Sequence, residues 1–200
     1  MAYSNFTSDD LIQKLGLTLG LAPLFRHVPP QEPGPWLHES IERGGLIARF
    51  NEKSRSELIV APILTRLRDF FGERYAFYSG ANLDVDPARG LNGECDFLLS
   101  RSQPLPFLQP PLMVVVEAKR GDIEAGLPQC VAQMYGARLY NERFGRVYPS
   151  LYGALTTGDD WQFLKLSGPN LTMDADRYRL PELGKILGIL VECLKEDDAR

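Results

Sequence analysis

The sequence predicts an α/β domain with a central mixed β-sheet flanked by helices, on two observations. Three strand-length apolar runs follow one another: "RYAFYS" at 74–79, "GECDFLLS" at 93–100 and "LMVVVEAK" at 112–119. Stretches with helical spacing of apolar residues stand before and after them. The third run is the most hydrophobic. Its residues 112–116 are all apolar, which marks a buried strand.

The elements can be justified in order. "TSDDLIQKLG" reads as a short helix with Thr7 or Ser8 as N-cap and Gly16 as terminator. "PPQEPGP" at 29–35 is a Pro/Gly-rich connector, so residues 1–49 are expected to form a helical arm that packs on the main unit. Within that arm "WLHESIERGG" reads as a short helix ending at Gly44. "SRSELIVAPILTRLRDFFG" places Ile59, Ile63, Leu67 and Phe70 along one helical face, with Ser54 or Ser56 as cap and Gly72 as stop. Pro62 predicts a bend or a late start in that helix.

The three strands follow, the last two separated by a proline-rich loop that cannot join a ladder. A helix is expected over 124–143, with Pro128 in its first turn. "YPSLYGALTTGDDWQFLKL" reads as a hairpin turning at 158–160, and "PELGKILGILVECLKEDD" as a closing amphipathic helix. From residue 54 the order is one helix, three strands, one helix, two strands, one helix.

Composition narrows the function classes. The chain has 200 residues, 44% hydrophobic and 24% charged, as in an ordinary globular domain. No apolar run approaches the ~20 residues of a membrane-spanning helix, and no leader pattern opens the chain, so a cytoplasmic location and no membrane partner are expected. Three widely spaced cysteines and two histidines indicate neither a disulfide framework nor a zinc site. Any metal would be held by oxygen ligands, which points to Mg²⁺ or Mn²⁺. A net charge of −4 provides no global basic footprint for nucleic acid, although an acidic metal centre can coexist with a local basic rim. Arg120, Arg138 and Arg143 are candidates for that rim.

The chemistry concentrates at the end of the third run. Glu117 and Lys119 are two apart on a strand, so their side chains share a face. Asp96 emerges from the otherwise apolar second strand. A buried carboxylate is costly unless paired or metal-bound. If the second and third strands pair, Asp96, Glu117 and Lys119 meet at one end of the sheet. Two carboxylates can hold a divalent cation, and an ammonium beside them can orient water or stabilise developing charge, a set suited to phosphodiester hydrolysis.

Asp96, a spacer and the triplet Glu117-Ala118-Lys119 resemble the PD-(D/E)xK nuclease superfamily. The order of elements is similar to that superfamily's restriction-endonuclease-like, three-layer core. The resemblance extends to Glu57 on the helix before the sheet, and to "QCVAQMY" at 129–135, similar to the glutamine-bearing helix of type I restriction subunits and RecB-like proteins. The segment "GALTTGDDWQFLKL" also looks like the hairpin of the restriction-subunit branch. Cys95 stands where the namesake motif has proline, and Tyr135 is offset by two from the RecB-type tyrosine.

The resemblance implies that residues 50–200 form a nuclease-like domain, with Asp96, Glu117 and Glu57 as ligands of Mg²⁺ or Mn²⁺. Lys119 would activate or position water, with Gln129 in support. It further implies nucleic acid, DNA in the first instance, as partner, and allows a homodimer or a place in a larger defence or repair assembly. The alternative is a non-catalytic module of the same fold that binds nucleic acid or a partner protein.

Overall fold

Apolar runs covered on both sides dominate the interior of the computed structural model, which describes residues 2–48, 51–119 and 121–195. In chain order the elements are α1 (Ser8–Gln13), β1 (Thr18–Ala22), α2 (Gly34–Ile47), α3 (Glu52–Arg55), α4 (Ala61–Arg66), α5 (Arg68–Phe71), β2 (Ala76–Asn82), β3 (Glu94–Ser100), β4 (Leu112–Ala118), α6 (Leu127–Arg143), β5 (Leu151–Thr156), β6 (Asp160–Ser167), β7 (Asn170–Asp174), β8 (Tyr178–Arg179) and α7 (Leu183–Leu194). The strands form one mixed sheet in the order β1-β7-β6-β5-β4-β3-β2, with β8 pairing β6. β4 runs parallel to β5 and β1 parallel to β7, and the other pairs are antiparallel.

Two apolar layers explain the stacking. On one face Ile59, Val60, Ile63 and Leu64 from the helices before the sheet, and Ile186, Leu187, Ile189 and Leu190 from α7, cover Phe97, Leu99, Val114, Val116 and Phe163. On the other, Leu11 of α1 and Cys130, Val131 and Met134 of α6 cover Leu98, Val115, Leu155 and Leu164. β4 therefore needs apolar residues on both sides, and every one of its residues is buried. The architecture is α/β, a central mixed sheet flanked by helices, as the sequence predicts.

Local chemistry fixes the ends. Thr7 Oγ1 accepts the Asp10 N–H at 3.3 Å while Asp10 returns a carboxylate to the Thr7 N–H at 3.0 Å, closing a capping box at α1. Gly72, with φ +59°, stops α5 where the sequence places the stop. Pro128 sits in the first turn of α6, where its missing N–H costs no helical bond. Asn141 near the end of α6 accepts the Leu112 N–H at 2.8 Å and donates to the Leu112 carbonyl at 2.7 Å, tying that helix to the start of β4.

Four sequence expectations are corrected. Gly44 lies inside α2 rather than ending it: a Cβ there would fall 2.5 Å from the Leu58 carbonyl oxygen, so the glycine serves close packing. The helix expected from Ser54 or Ser56 begins earlier, capped by Asn51, whose Oδ1 accepts the Ser54 N–H at 2.8 Å. Between α3 and α4 the residues Ser56–Val60 form a π-turn, and Pro62 sits in the first turn of α4 just beyond it, so the irregularity expected at Pro62 takes the form of a π-turn rather than a late start of the whole helix. The arm also contributes a strand, β1, which pairs with β7, itself unforeseen. The end of the predicted closing helix, 196–198, lies outside the described residues.

Candidate active site

The site arises where the β3–β4 ladder stops. Its last pair at this end is Phe97↔Val116, and one further step of the same register sets Asp96 opposite Glu117. There the Ala118 N–H donates to Asp96 Oδ2 at 2.8 Å, so a carboxylate replaces the next ladder partner. On the other side β4 stays paired: the Lys119 N–H donates to the Thr156 carbonyl at 2.8 Å, which holds the triplet extended. Sequence spacing alone places Glu117 and Lys119 on one face, and the Lys119 Nζ lies 2.7 Å from Glu117 Oε1.

The start of α6 closes over the pair. Gly126 lies against the lysine stem, where an added Cβ would come within 3.0 Å of Lys119 Cγ. Gln129 approaches the ammonium, with Oε1 3.4 Å from Nζ. One turn later Gln133 is fully buried, its Nε2 3.4 Å from the Glu94 carbonyl. Among the described residues neither Glu117 oxygen has a hydrogen-bond partner of regular geometry, and the same holds for Gln133 Oε1. The Glu117 carboxylate is thus buried with the Lys119 ammonium as its close positive neighbour and the Gln133 amide beside it.

Electrostatics follow from this burial. Desolvation pushes the Glu117 carboxyl up to about 7, and the neighbouring Asp96 charge adds to the rise, against Lys119 and Gln133. Asp96 is also raised, by burial first, against the Ala118 hydrogen bond and Lys119, with Glu52 and Glu94 pushing further up. Burial pulls Lys119 down, but Glu117, Asp96 and Glu52 outweigh it and hold the ammonium above its usual value. The lysine is a fixed positive charge.

Beside Asp96 opens a cleft of about 350 Å³, walled by Glu52, Ser56, Glu57, Ser79, Gly80 and Glu94. Asp96, Glu117, Lys119 and Gln129 are therefore brought together. Glu57 reaches the cleft wall but is exposed, and its contact is Lys53 at 3.8 Å. Glu52, which sequence reasoning passed over, is the helix carboxylate whose charge bears on Asp96 and Lys119. The expected cap at Ser54 or Ser56 left it outside the helix. The real cap, Asn51, was the signal to follow. Of the arginines suggested as a rim, Arg138 donates to the Gly168 carbonyl and Arg143 to the Val85 carbonyl, while Arg120 lies outside the described residues.

The donor set is oxygen-based and suits a hard divalent cation: the carboxylates of Asp96 and Glu117, with the Gln129 amide oxygen near the Lys119 ammonium. The buried Glu117 carboxylate, whose only close cation among the described residues is Lys119, fits that group. Among the described residues no three His, Cys, Asp or Glu side chains converge on one point, so protein carboxylates would fill only part of a coordination sphere. No helix of the described residues is long and apolar enough to cross a membrane. Compared with models of known protein families and with curated protein sequences, the chain matches none.

Proposed function

We propose that this chain is a restriction-endonuclease-like, PD-(D/E)xK nuclease that hydrolyses phosphodiester bonds of nucleic acid, DNA first among them, with Mg²⁺ or Mn²⁺. The observation that carries the proposal is Glu117, a fully buried carboxylate whose only close cation among the described residues is Lys119, set beside a second buried carboxylate, Asp96, at the open end of a sheet. As a structural ion pair this arrangement is poor, because desolvating the carboxylates costs more than the pair returns. As a cation site it is reasonable. Asp96 and Glu117 would hold the ion, and when bound it supplies Lewis acidity and a water of lowered pKa.

The chain's own groups supply the rest. Lys119, kept protonated by its acidic neighbours, orients water and stabilises charge on the phosphoryl oxygens. At about 4 Å and an effective dielectric near 20, such a charge is worth roughly 4 kcal/mol. Gln129 steadies the ammonium, Gln133 underlies Glu117, and Glu52 and Glu57 keep the cleft mouth acidic. A second reading, a non-catalytic module of the same fold, is favoured by the direct Glu117–Lys119 contact, in which the pair satisfies itself.

The deciding experiment incubates purified protein with single- and double-stranded DNA and RNA in Mg²⁺, Mn²⁺ or EDTA, beside Lys119→Ala and Asp96→Asn. Metal-dependent cleavage lost in both variants supports the nuclease. Cleavage that survives Lys119→Ala sinks the assigned mechanism. Absence of both cleavage and cation binding by folded protein moves the reading to the binding module.

A further inference from the structure

β1 is the last strand on its side of the sheet. Its bonds to β7 are made by alternate residues, since the Thr18 N–H donates to the Pro169 carbonyl and the Ala22 carbonyl accepts from Ala175. Leu19 and Leu21 therefore direct their backbone N–H and C=O groups away from β7, to an edge that no strand of the described residues covers. Their side chains, 43% and 64% exposed, share a sheet face with their register partners Leu171 and Met173. That face is the apolar layer beneath α1 and α6, which thus runs off the edge of the molecule uncovered.

Edge strands usually carry a charge, a bulge or an internal proline against pairing. Nothing of the kind protects β1: residues 15–25, "LGLTLGLAPLF", contain no charged side chain, and Pro23 lies beyond the strand. The opposite edge, β2, is kinked by Gly80 at φ +61°.

We infer that β1 pairs antiparallel with β1 of a second copy of this chain, making a two-fold dimer with one continuous sheet. The register follows from the available donors. The Leu17 N–H is taken by the Leu11 carbonyl, and Pro23 has none, so Leu19 and Leu21 hold the free donors. The two-fold arrangement that uses both is centred on Gly20: Leu19 faces Leu21 of the other copy, Leu21 faces Leu19, and Gly20 faces Gly20. Each Leu19–Leu21 pair exchanges two hydrogen bonds, and the four leucines continue the apolar layer across the axis. A neutral strand meets its own copy without charge repulsion. The carboxylate site lies four strands in from this edge, so at ~4.8 Å per strand the two clefts of the dimer are roughly 40–50 Å apart and both remain open.

The test measures the mass of the full chain by sedimentation velocity from 1 to 100 μM, for wild type and Leu21→Lys. It adds oxidative cross-linking of Gly20→Cys and Leu19→Cys. Position 20 accepts a Cβ, whose nearest neighbour would be the Leu171 carbonyl at 3.8 Å, and the three native cysteines are buried. Facing Gly20 residues form the close, non-hydrogen-bonded type of pair, about 4.5 Å between Cα atoms, within disulfide reach. We expect a wild-type dimer, at least tenfold weaker self-association for Leu21→Lys with a thermal melt equal to wild type at dilutions where both are monomeric, a covalent dimer from Gly20→Cys, and none from Leu19→Cys, which faces a leucine. A monomeric wild type at 100 μM overturns the inference. So does a dimer indifferent to Leu21→Lys, or cross-linking equal at positions 19 and 20.

Discussion

Replacing Glu117 by glutamine should make the metal-free protein more stable at neutral pH while disabling its site. The carboxyl ordinarily titrates at 4.5, and burial raises it to about 7 in the folded chain. A folded state that holds its proton more tightly than the unfolded chain loses stability as pH rises from about 4.5 through 7, and the loss is complete above that window. At ~1.4 kcal/mol per pH unit the full effect is about 3 kcal/mol. It is an upper bound, because Lys119 loses its neighbour in the variant. For a domain of this size that corresponds to roughly 6–12 °C in Tm. Melting both proteins in EDTA from pH 4.5 to 8.5 should give a difference near zero at the acid end that grows in favour of Glu117→Gln. Adding Mn²⁺ at pH 8 should then raise the wild-type Tm and leave the variant largely unmoved. A gap of constant size across pH would refute the assignment of the cost to a buried charge, and equal Mn²⁺ responses would refute the assignment of Glu117 as a ligand.

Other expectations test neighbouring parts of the argument. Calorimetric titration with Mn²⁺ should show affinity several-fold weaker for Glu52→Gln and nearly unchanged for Glu57→Gln, since Glu52 bears on Asp96 while Glu57 is exposed beside Lys53. Gly44→Ala should lose about 2 kcal/mol in urea unfolding, because the new methyl meets the Leu58 carbonyl. Asp174→Ala should lose about 3 kcal/mol in the same assay: its buried carboxylate accepts the Leu24 N–H at 3.0 Å, the Asp176 N–H at 3.3 Å and the Tyr178 hydroxyl at 2.9 Å, all left without a partner.

The central strands and the helix over α6 were legible because burial on both faces leaves an unbroken apolar run, and because Pro128 and Gly72 mark boundaries by backbone chemistry alone. The meeting of Asp96, Glu117 and Lys119 was legible for a similar reason, since strand periodicity fixes which side chains share a face. β1 and β7 were not. "TLGLA" is short, has a glycine at its centre and runs straight into Pro23, and "NLTMD" is short and mostly polar, so neither rises above a loop until the other is present to pair with it. Gly44 misled because glycine ends helices and also admits close neighbours, and only the packed Leu58 carbonyl separates the two uses. The burial of Gln133 was not legible because helical spacing alone cannot say how closely α6 seats on β4.

The π-turn at Ser56–Val60 has a genealogical consequence. There the Ala61 N–H reaches back five residues to the Ser56 carbonyl, one more than a regular helix allows. Such a turn is what a single inserted residue leaves in an ordinary helix whose flanks are already fixed by packing. Deleting one residue between 56 and 60 would restore regular winding, but it would swing everything before it by about 100° and draw it in by ~1.5 Å. Glu52 would turn away from the cleft while Ile63 and Leu64 kept their seats in the core. The reading frame of this one turn, counted in residues rather than in energy, sets whether the acidic wall faces Asp96, so length variation in sequences of this kind should be rare at 56–60 and common in the proline-rich loop between β3 and β4.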